Sequence, residues 1–114
     1  MKRIEAFVRP HRLSKVVHAL HDLPHFSGFT LLEATGQGHG RGAGGHNAGD
    51  EDCLLLHDCR VLVVVCEDAE ADAVAETIAR AAHTGNKGDG IISISEVTRV
   101  LRVRDAKAKS GGQP

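Results

Sequence analysis

The run Arg-Val-Leu-Val-Val-Val-Cys occupies residues 60–66 and is apolar from its second position onward. A short apolar run rich in β-branched residues predicts a strand that is buried on both faces. Glu67 and Asp68 come next and place negative charge where the dipole of a following helix favours it. Apolar residues then recur at helical spacing, at Ala71, Val74, Ala75, Ile78 and Ala82. This stretch therefore predicts a strand followed directly by a helix.

The rest of the chain repeats this alternation of strand and helix. Pro10 can open a helix, and an apolar stripe at helical spacing runs from Leu13 to Leu23. Further strands are predicted over residues 2–8, 29–34, 91–97 and 99–104. The order predicts an α+β fold, the ferredoxin-like βαββαβ sandwich. We expect one domain over residues 1–104 and a flexible C-terminal tail over residues 105–114.

Composition limits the classes of function. The 114 residues include 3% aromatics, with no Tyr and no Trp, so an aromatic platform for single-stranded nucleic acid is excluded. The net charge of −1 argues against a nucleic-acid binder. Neither a signal peptide nor a membrane-spanning apolar run is present, which predicts a cytoplasmic protein without membrane insertion. Its three cysteines should then be reduced thiols.

A glycine-rich loop separates the two halves of the chain. Residues 36–49 contain seven glycines, too many for regular structure. Gly40-x-Gly42-x-x-Gly45 formally matches a dinucleotide fingerprint, but no helix opens after it. A loop of this length inside a small domain is more typical of partner recognition.

Histidines and cysteines allow two interpretations. His18 and His21 are spaced so that both could reach one metal ion, or they simply belong to the solvated face of the first helix. A second group, His39, His46, Cys53, His57 and Cys59, matches no zinc-finger spacing. We therefore predict no metal site. No catalytic residues are predicted either, because the chain has no nucleophile elbow and no Walker motif.

Two further features point to an anion. The turn Thr-Gly-Asn-Lys-Gly-Asp-Gly at residues 84–90 is rich in glycine, which allows backbone amides to approach a phosphate, or merely allows a tight turn. Arg102 and Arg104 alternate with apolar residues on the predicted fifth strand and would share one face. A solvated face explains these arginines about as well as a phosphate clamp.

Several segments together resemble the PII signal-transduction family. Residues 1–10 are similar to the family's first strand and its closing proline, and residues 28–30 to the turn into its second strand. Gly36-x-Gly38 stands where the family's long T-loop begins. Residues 80–90 look like its C-terminal signature, and residues 100–104 resemble the strand that follows. The resemblance covers nearly the whole predicted domain.

The resemblance implies a non-enzymatic homotrimer that regulates a protein partner, a transporter or an enzyme, through a T-loop at about residues 37–53, in nitrogen or inorganic-carbon metabolism. It also implies that an adenine nucleotide binds in each cleft between subunits. Arg102 and Arg104 would reach the phosphates from the adjoining subunit. The other implied nucleotide-binding residues are Gly36, Gly38, His39, Gly88, Asp89 and Gly90 near the phosphates, and Phe7, Gly28, Thr30 and Val64 near the base and ribose.

The sequence departs from the family pattern at the phosphates. Ile91 stands where the family usually has a basic residue, and His39-Gly40 stands where it has Arg-Gln. With fewer cations the site should favour ADP or AMP over ATP, and bicarbonate or a small carboxylate could pair with a free arginine. The alternative is a trimer of the CutA kind, which shares the ferredoxin-like plan and binds metal in metal tolerance.

Overall fold

The computed structural model describes residues 1–34 and 58–106. The strands and helices of these residues are, in chain order, β1 (Lys2–Val8), α1 (Leu13–His21), β2 (Thr30–Ala34), β3 (Cys59–Cys66), α2 (Asp68–Ala82) and β4 (Gly90–Glu96). Short 3-10 turns cover Pro10–Arg12 and Val103–Asp105. The βαββαβ order confirms the predicted ferredoxin-like α+β plan.

The four strands form one antiparallel sheet in the order β2-β3-β1-β4. Ile4 of β1 lies opposite Val64 on one side and Ile94 on the other. The order separates each helix-linked pair of strands by one strand, so both helices cross the same face of the sheet. β4 and β2 are its two edges, and the turn before β4 lies at the end of the sheet where β1 runs into α1.

The core lies between this face and the two helices. Ile4, Leu20, Leu62 and Ile78 are fully buried there, and all four are aliphatic. α1 ends at His21, earlier than its apolar stripe suggested, but Leu23 still packs against the core. The stripe therefore predicted the buried residues better than it predicted the end of the helix.

The other face of the sheet carries no helix among the described residues. Leu32 is 50% exposed and Val65 is 36% exposed, so the prediction that β3 is buried on both faces is wrong at Val65. Arg3 and Glu5 form an ion pair on the same face, 3.0 Å apart. This single chain therefore leaves a partly apolar sheet surface uncovered.

The predicted fifth strand over residues 99–104 is wrong. Residues 97–102 have no regular structure, and a 3-10 turn follows them at Val103–Asp105. A strand needs a neighbour to take its backbone hydrogen bonds, and no described strand of the chain pairs with this segment. Its apolar residues Val100, Leu101 and Val103 are instead exposed.

The two helices carry opposite charge and run antiparallel. Arg12 and Lys15 lie at the start of α1, and no acidic residue occurs between Arg9 and His21. Asp68, Glu70, Asp72 and Glu76 occupy the first three turns of α2. The Arg12 side chain contacts the end of α2, so the acidic turns of α2 lie at the far end of the helix layer.

The described cysteines lie at opposite ends of β3. Cys59 and Cys66 are both buried free thiols. Seven residues of strand separate them by about 23 Å, far more than a disulfide spans. Burial raises the pKa of the Cys66 thiol, helped by the nearby charge of Glu70.

In the part of the chain that the structure describes, no helix has the length and apolar character needed to cross a bilayer.

Candidate anion site at the turn between α2 and β4

The Asp89 carboxylate holds the turn between α2 and β4 together. Its Oδ2 accepts hydrogen bonds from the amides of Thr84, at 2.8 Å, and Gly85, at 3.0 Å. Its Oδ1 accepts a further bond from the Thr84 hydroxyl, and that hydroxyl oxygen accepts one from the Asn86 amide at 3.1 Å. The side chain of Asp89 therefore shapes the turn.

Three glycines of this turn have positive φ, as a tight turn requires. The φ angles are +87° at Gly85, +83° at Gly88 and +124° at Gly90. Gly88 is buried, yet none of the described residues accepts a hydrogen bond from its amide. A buried backbone donor without an acceptor is costly, so this amide is suited to an anionic ligand.

A cavity of about 300 Å³ lies beside the turn. Phe7 and Ile91, which are partners across β1 and β4, lie on its wall together with His83 and Asp89. Nδ1 of His83 lies 3.7 Å from Oδ2 of Asp89. The cavity is therefore mostly apolar with a polar rim at the turn, and the backbone of Phe7 lies close to Gly90.

A second group of predicted residues meets where β2 begins. Thr30 pairs with Val63, so Gly28, Thr30 and Val64 are close neighbours. Gly28 has a φ of +113° and open space around it. The Val64 side chain, however, is 1% exposed within the helix-covered core, because one position along a strand reverses the face. The Val64 side chain therefore packs in the core, and the place of this residue near the base and ribose stays a prediction.

Arg102 and Arg104 lie far from the glycine turn within one chain. Arg102 borders a cavity with Met1 and Glu67, at the end of β4 opposite Gly90. The length of β4 separates the two places by about 20 Å. Arg104 forms an ion pair with Asp105, with Nε 3.6 Å from Oδ1, and lies in the 3-10 turn, so the predicted common strand face is wrong.

Several predicted residues lie outside the described part of the chain. These are Gly36, Gly38 and His39, the T-loop at 37–53, His46, Cys53 and His57, and residues 107–114 of the tail. Among residues 1–34 and 58–106, His, Cys, Asp and Glu side chains form no group of three that could hold a metal ion.

The sequence pattern does not identify the side chains that build the turn. It indicates Thr84 only as part of a glycine-rich stretch, and it does not indicate Arg9 or Arg12. A local signal for Thr84 is present in the sequence. Thr84 precedes Asp89 by five residues, and the glycines between them allow a turn in which the two side chains form a hydrogen bond. Arg9 and Arg12 make contacts across 78 and 69 residues of sequence, respectively, and no local pattern indicates such contacts.

Asp89 should give the fold a pH dependence. Partial burial raises the pKa of this carboxyl, but hydrogen bonds from the Thr84 hydroxyl and from the Thr84 and Gly85 amides outweigh it, so the pKa is lowered. The carboxylate therefore stabilises the fold above its unfolded-state pKa of about 4, and this stability is lost as the pH falls through the lower folded-state pKa. Asp89→Asn should reduce the free energy of unfolding at pH 7 by about 1–2 kcal/mol.

Urea unfolding at pH 7 and pH 3 measures this effect. The loss caused by Asp89→Asn should be smaller at pH 3 than at pH 7. Asp58→Asn is the control, because Asp58 also forms one ion pair, with Arg60, but its side chain is 68% exposed against 23% for Asp89. We expect a control loss of about 0.5 kcal/mol or less. Equal losses from both variants would contradict the role given to Asp89.

Comparison with known proteins gives the family. The family model described as "Nitrogen regulatory protein P-II" matches residues 1–107. A nitrogen regulatory protein P-II of Azospirillum brasilense is 38% identical over 104 residues, covering 91% of this chain and 92% of the relative. One from Microchaete diplosiphon is 39% identical over 105 residues, with the same coverage. Nitrogen regulatory protein P-II 2 of Methanothermobacter thermautotrophicus is 35% identical over 108 residues, covering 95% of this chain and 93% of the relative.

These matches support the PII resemblance over the CutA-like alternative. Proteins of the family are regulatory signal transducers without enzymatic activity, and they act on partner proteins. With identities well above 30% over almost the whole chain and a ferredoxin-like fold, this chain belongs to the P-II family of nitrogen regulatory proteins.

Proposed function

We propose that this chain is a cytoplasmic, trimeric sensor that binds an adenine nucleotide between subunits and regulates a partner protein through its T-loop. The phosphates contact the backbone of Gly88, Asp89 and Gly90 in one subunit. Arg102 and Arg104 approach them from the neighbouring subunit. Nucleotide binding shifts the population of T-loop conformations and so changes which surface the partner meets.

One observation carries the proposal: the Gly88 amide is buried, and none of the described residues accepts a hydrogen bond from it. The amides of Thr84 and Gly85 in the same turn, by contrast, are bonded to Asp89. Because Asp89 accepts the hydrogen bonds of Thr84 and Gly85, the Gly88 amide is left as a donor for a phosphate oxygen. The glycine at this position removes the Cβ that would keep the ligand away.

The position of the arginines supports a site shared between subunits. Arg102 is about 20 Å from the turn in its own chain, so it can serve this site only from another copy. The segment around it exposes Val100, Leu101 and Val103, with Val103 91% exposed. Apolar residues so exposed in one chain are well suited to burial against a second.

Two measurements test the proposal. Light scattering at micromolar concentration should give a mass near three chains. Isothermal calorimetry with ADP should show one site for each chain. A monomer that binds ADP would contradict the shared site, and a trimer that binds no adenine nucleotide would contradict the sensor.

The cations at the site predict which nucleotide binds best. Ile91 immediately follows Gly90 and lies on the wall of the cavity, where a basic side chain would help to neutralise a γ-phosphate. We therefore expect ADP or AMP to bind at least as tightly as ATP in calorimetry. Ile91→Lys should improve ATP binding relative to ADP by about tenfold, the factor that 1.4 kcal/mol represents. An unchanged ratio would show that residue 91 does not contact the terminal phosphate.

Bicarbonate or a small carboxylate is the second ligand that we propose. A planar anion could pair with the Arg102 guanidinium where a γ-phosphate would otherwise lie. ADP titrations with and without bicarbonate, at fixed pH and ionic strength, test this by linkage, since each ligand must tighten the other. Identical ADP affinity in both conditions would leave a nucleotide sensor without this second ligand.

A further inference from the structure

The helix before the anion site ends in an unusual way. α2 ends at Ala82, and His83 at its C-cap is extended, with φ −67° and ψ +130°. Many helices end instead at a left-handed glycine, whose backbone satisfies the last carbonyl groups. Here Gly85 comes too late to do so, and the carbonyl groups at the end of α2 need other partners.

Arg12 supplies those partners from the other end of the sequence. It donates to the Ala81 carbonyl from Nε at 3.2 Å and from a terminal nitrogen at 2.8 Å, and that nitrogen is also 3.4 Å from the His83 carbonyl. The two-pronged contact with Ala81 uses the planar fork of a guanidinium, which a lysine ammonium lacks. Its positive charge also suits the negative end of the helix dipole.

Arg9 holds the far side of the same turn. Its terminal nitrogen donates to the Lys87 carbonyl at 3.0 Å. The Lys87 carbonyl and the Gly88 amide belong to the same peptide group. Arg9 therefore bonds to the carbonyl oxygen of the peptide whose N–H group is the buried donor. Both arginines thus fix the backbone path from the end of α2 to Gly88, while Asp89 fixes the amides between them.

We propose that Arg12, assisted by Arg9, is a positioning residue for anion binding: it acts through the backbone of the turn and sets the direction of the Gly88 amide. This inference rests on the proposed function, because it assigns these residues a part in the binding of the nucleotide's phosphates. A guanidinium is required, since a charge alone does not make the two-pronged contact. Binding of the nucleoside part should not depend on it.

The test compares Arg12→Ala, Arg12→Lys and wild type by calorimetry with ADP and with adenosine, which lacks phosphates. Both variants should lose about tenfold in ADP affinity, equivalent to about 1.4 kcal/mol, and keep adenosine affinity within about twofold. Lys15→Ala is the matched control, because it removes one exposed positive charge from α1, and no bond from Lys15 to the turn occurs among the described residues. The control should bind ADP like wild type.

Other outcomes overturn the inference. Full ADP affinity in Arg12→Lys would show that charge, not geometry, is what matters. An equal loss for adenosine would show general damage to the fold. Should Arg12→Ala fail to fold, Arg9→Ala removes a single bond and must show the same selective loss of ADP affinity on a smaller scale.

Amide hydrogen exchange separates this inference from the proposed function. Without ligand, Arg12→Ala should exchange faster than wild type at residues 84–90 and equally in β1 and β3. Wild-type protein that binds neither ADP nor adenosine would refute the nucleotide sensor, while exchange would still report whether Arg12 holds the turn. Unchanged exchange in the turn would refute the role of Arg12 whatever the protein binds.

Discussion

Gly90→Ala should destabilise this protein more than any other single methyl addition in the anion-site turn. A Cβ at this position would lie 1.9 Å from the Phe7 carbonyl oxygen and 3.0 Å from the Phe7 carbonyl carbon. Both are backbone atoms of the adjacent strand, so neither can move without opening the sheet. The φ of +124° adds strain for any residue with a Cβ. We expect a loss of about 4 kcal/mol from overpacking and strain together, a large share of a small domain's stability.

Gly28→Ala is the matched control for this variant. Gly28 has a similar φ of +113°, but nothing lies within 4 Å of the Cβ that alanine would add. The control therefore carries the strain without the clash and should lose about 1–2 kcal/mol. Urea unfolding of both variants gives the difference. Equal losses would show that the contact with Phe7 relaxes at no cost and that strain alone decides.

Arg102→Ala should nearly abolish ADP binding while leaving each subunit folded. The residue is exposed and makes no described contact with the core, so its truncation should hardly change the unfolding transition. At a desolvated phosphate site the loss of a charged partner costs about 2–5 kcal/mol, or roughly 30-fold to several thousand-fold in affinity. Calorimetry with ADP measures this loss.

Mixed trimers decide whether Arg102 acts from a neighbouring subunit. Asp89→Ala damages the turn but keeps the arginine, whereas Arg102→Ala keeps the turn. In a random mixture of the two chains, a complete site forms only where an intact turn faces an intact arginine, at about a quarter of the interfaces of a cyclic trimer. The mixture should therefore regain about a quarter of the wild-type binding stoichiometry. No recovery would mean that turn and arginine belong to the same subunit's site or to none.

The fold could be predicted from sequence wherever burial depends on local spacing. The apolar run at residues 60–66 and the helical stripe after it both became the elements expected. The strand at 99–104 could not be judged in this way, because its alternating pattern says nothing about whether a neighbouring strand is present. The exposure of Val65 could not be predicted for a related reason: a continuous apolar run does not state whether both faces of its strand are covered.

The candidate site likewise combines features that local sequence predicts with features that depend on tertiary structure. Gly88 and Gly90 could be identified as turn residues from the sequence, because a backbone with positive φ favours glycine. The structural role of the Asp89 carboxylate was not predicted: it accepts hydrogen bonds from Thr84, while the contact of residue 89 with a ligand stays a prediction. Arg12 meets Ala81 only after the sheet has brought α1 and α2 together, so its function depends on tertiary structure alone.

The opposite charges of the two helices have a consequence for handling this protein. Although the net charge of the chain is −1, the helix layer has a positive end near Arg12 and Lys15 and an acidic end near Glu70 and Asp72. At 0.01 M ionic strength charges interact over about 30 Å, and at physiological salt over about 8 Å. In dilute buffer we therefore expect the helix layers of separate molecules to attract each other end to end. Masses measured under such conditions will include clusters that physiological salt disperses.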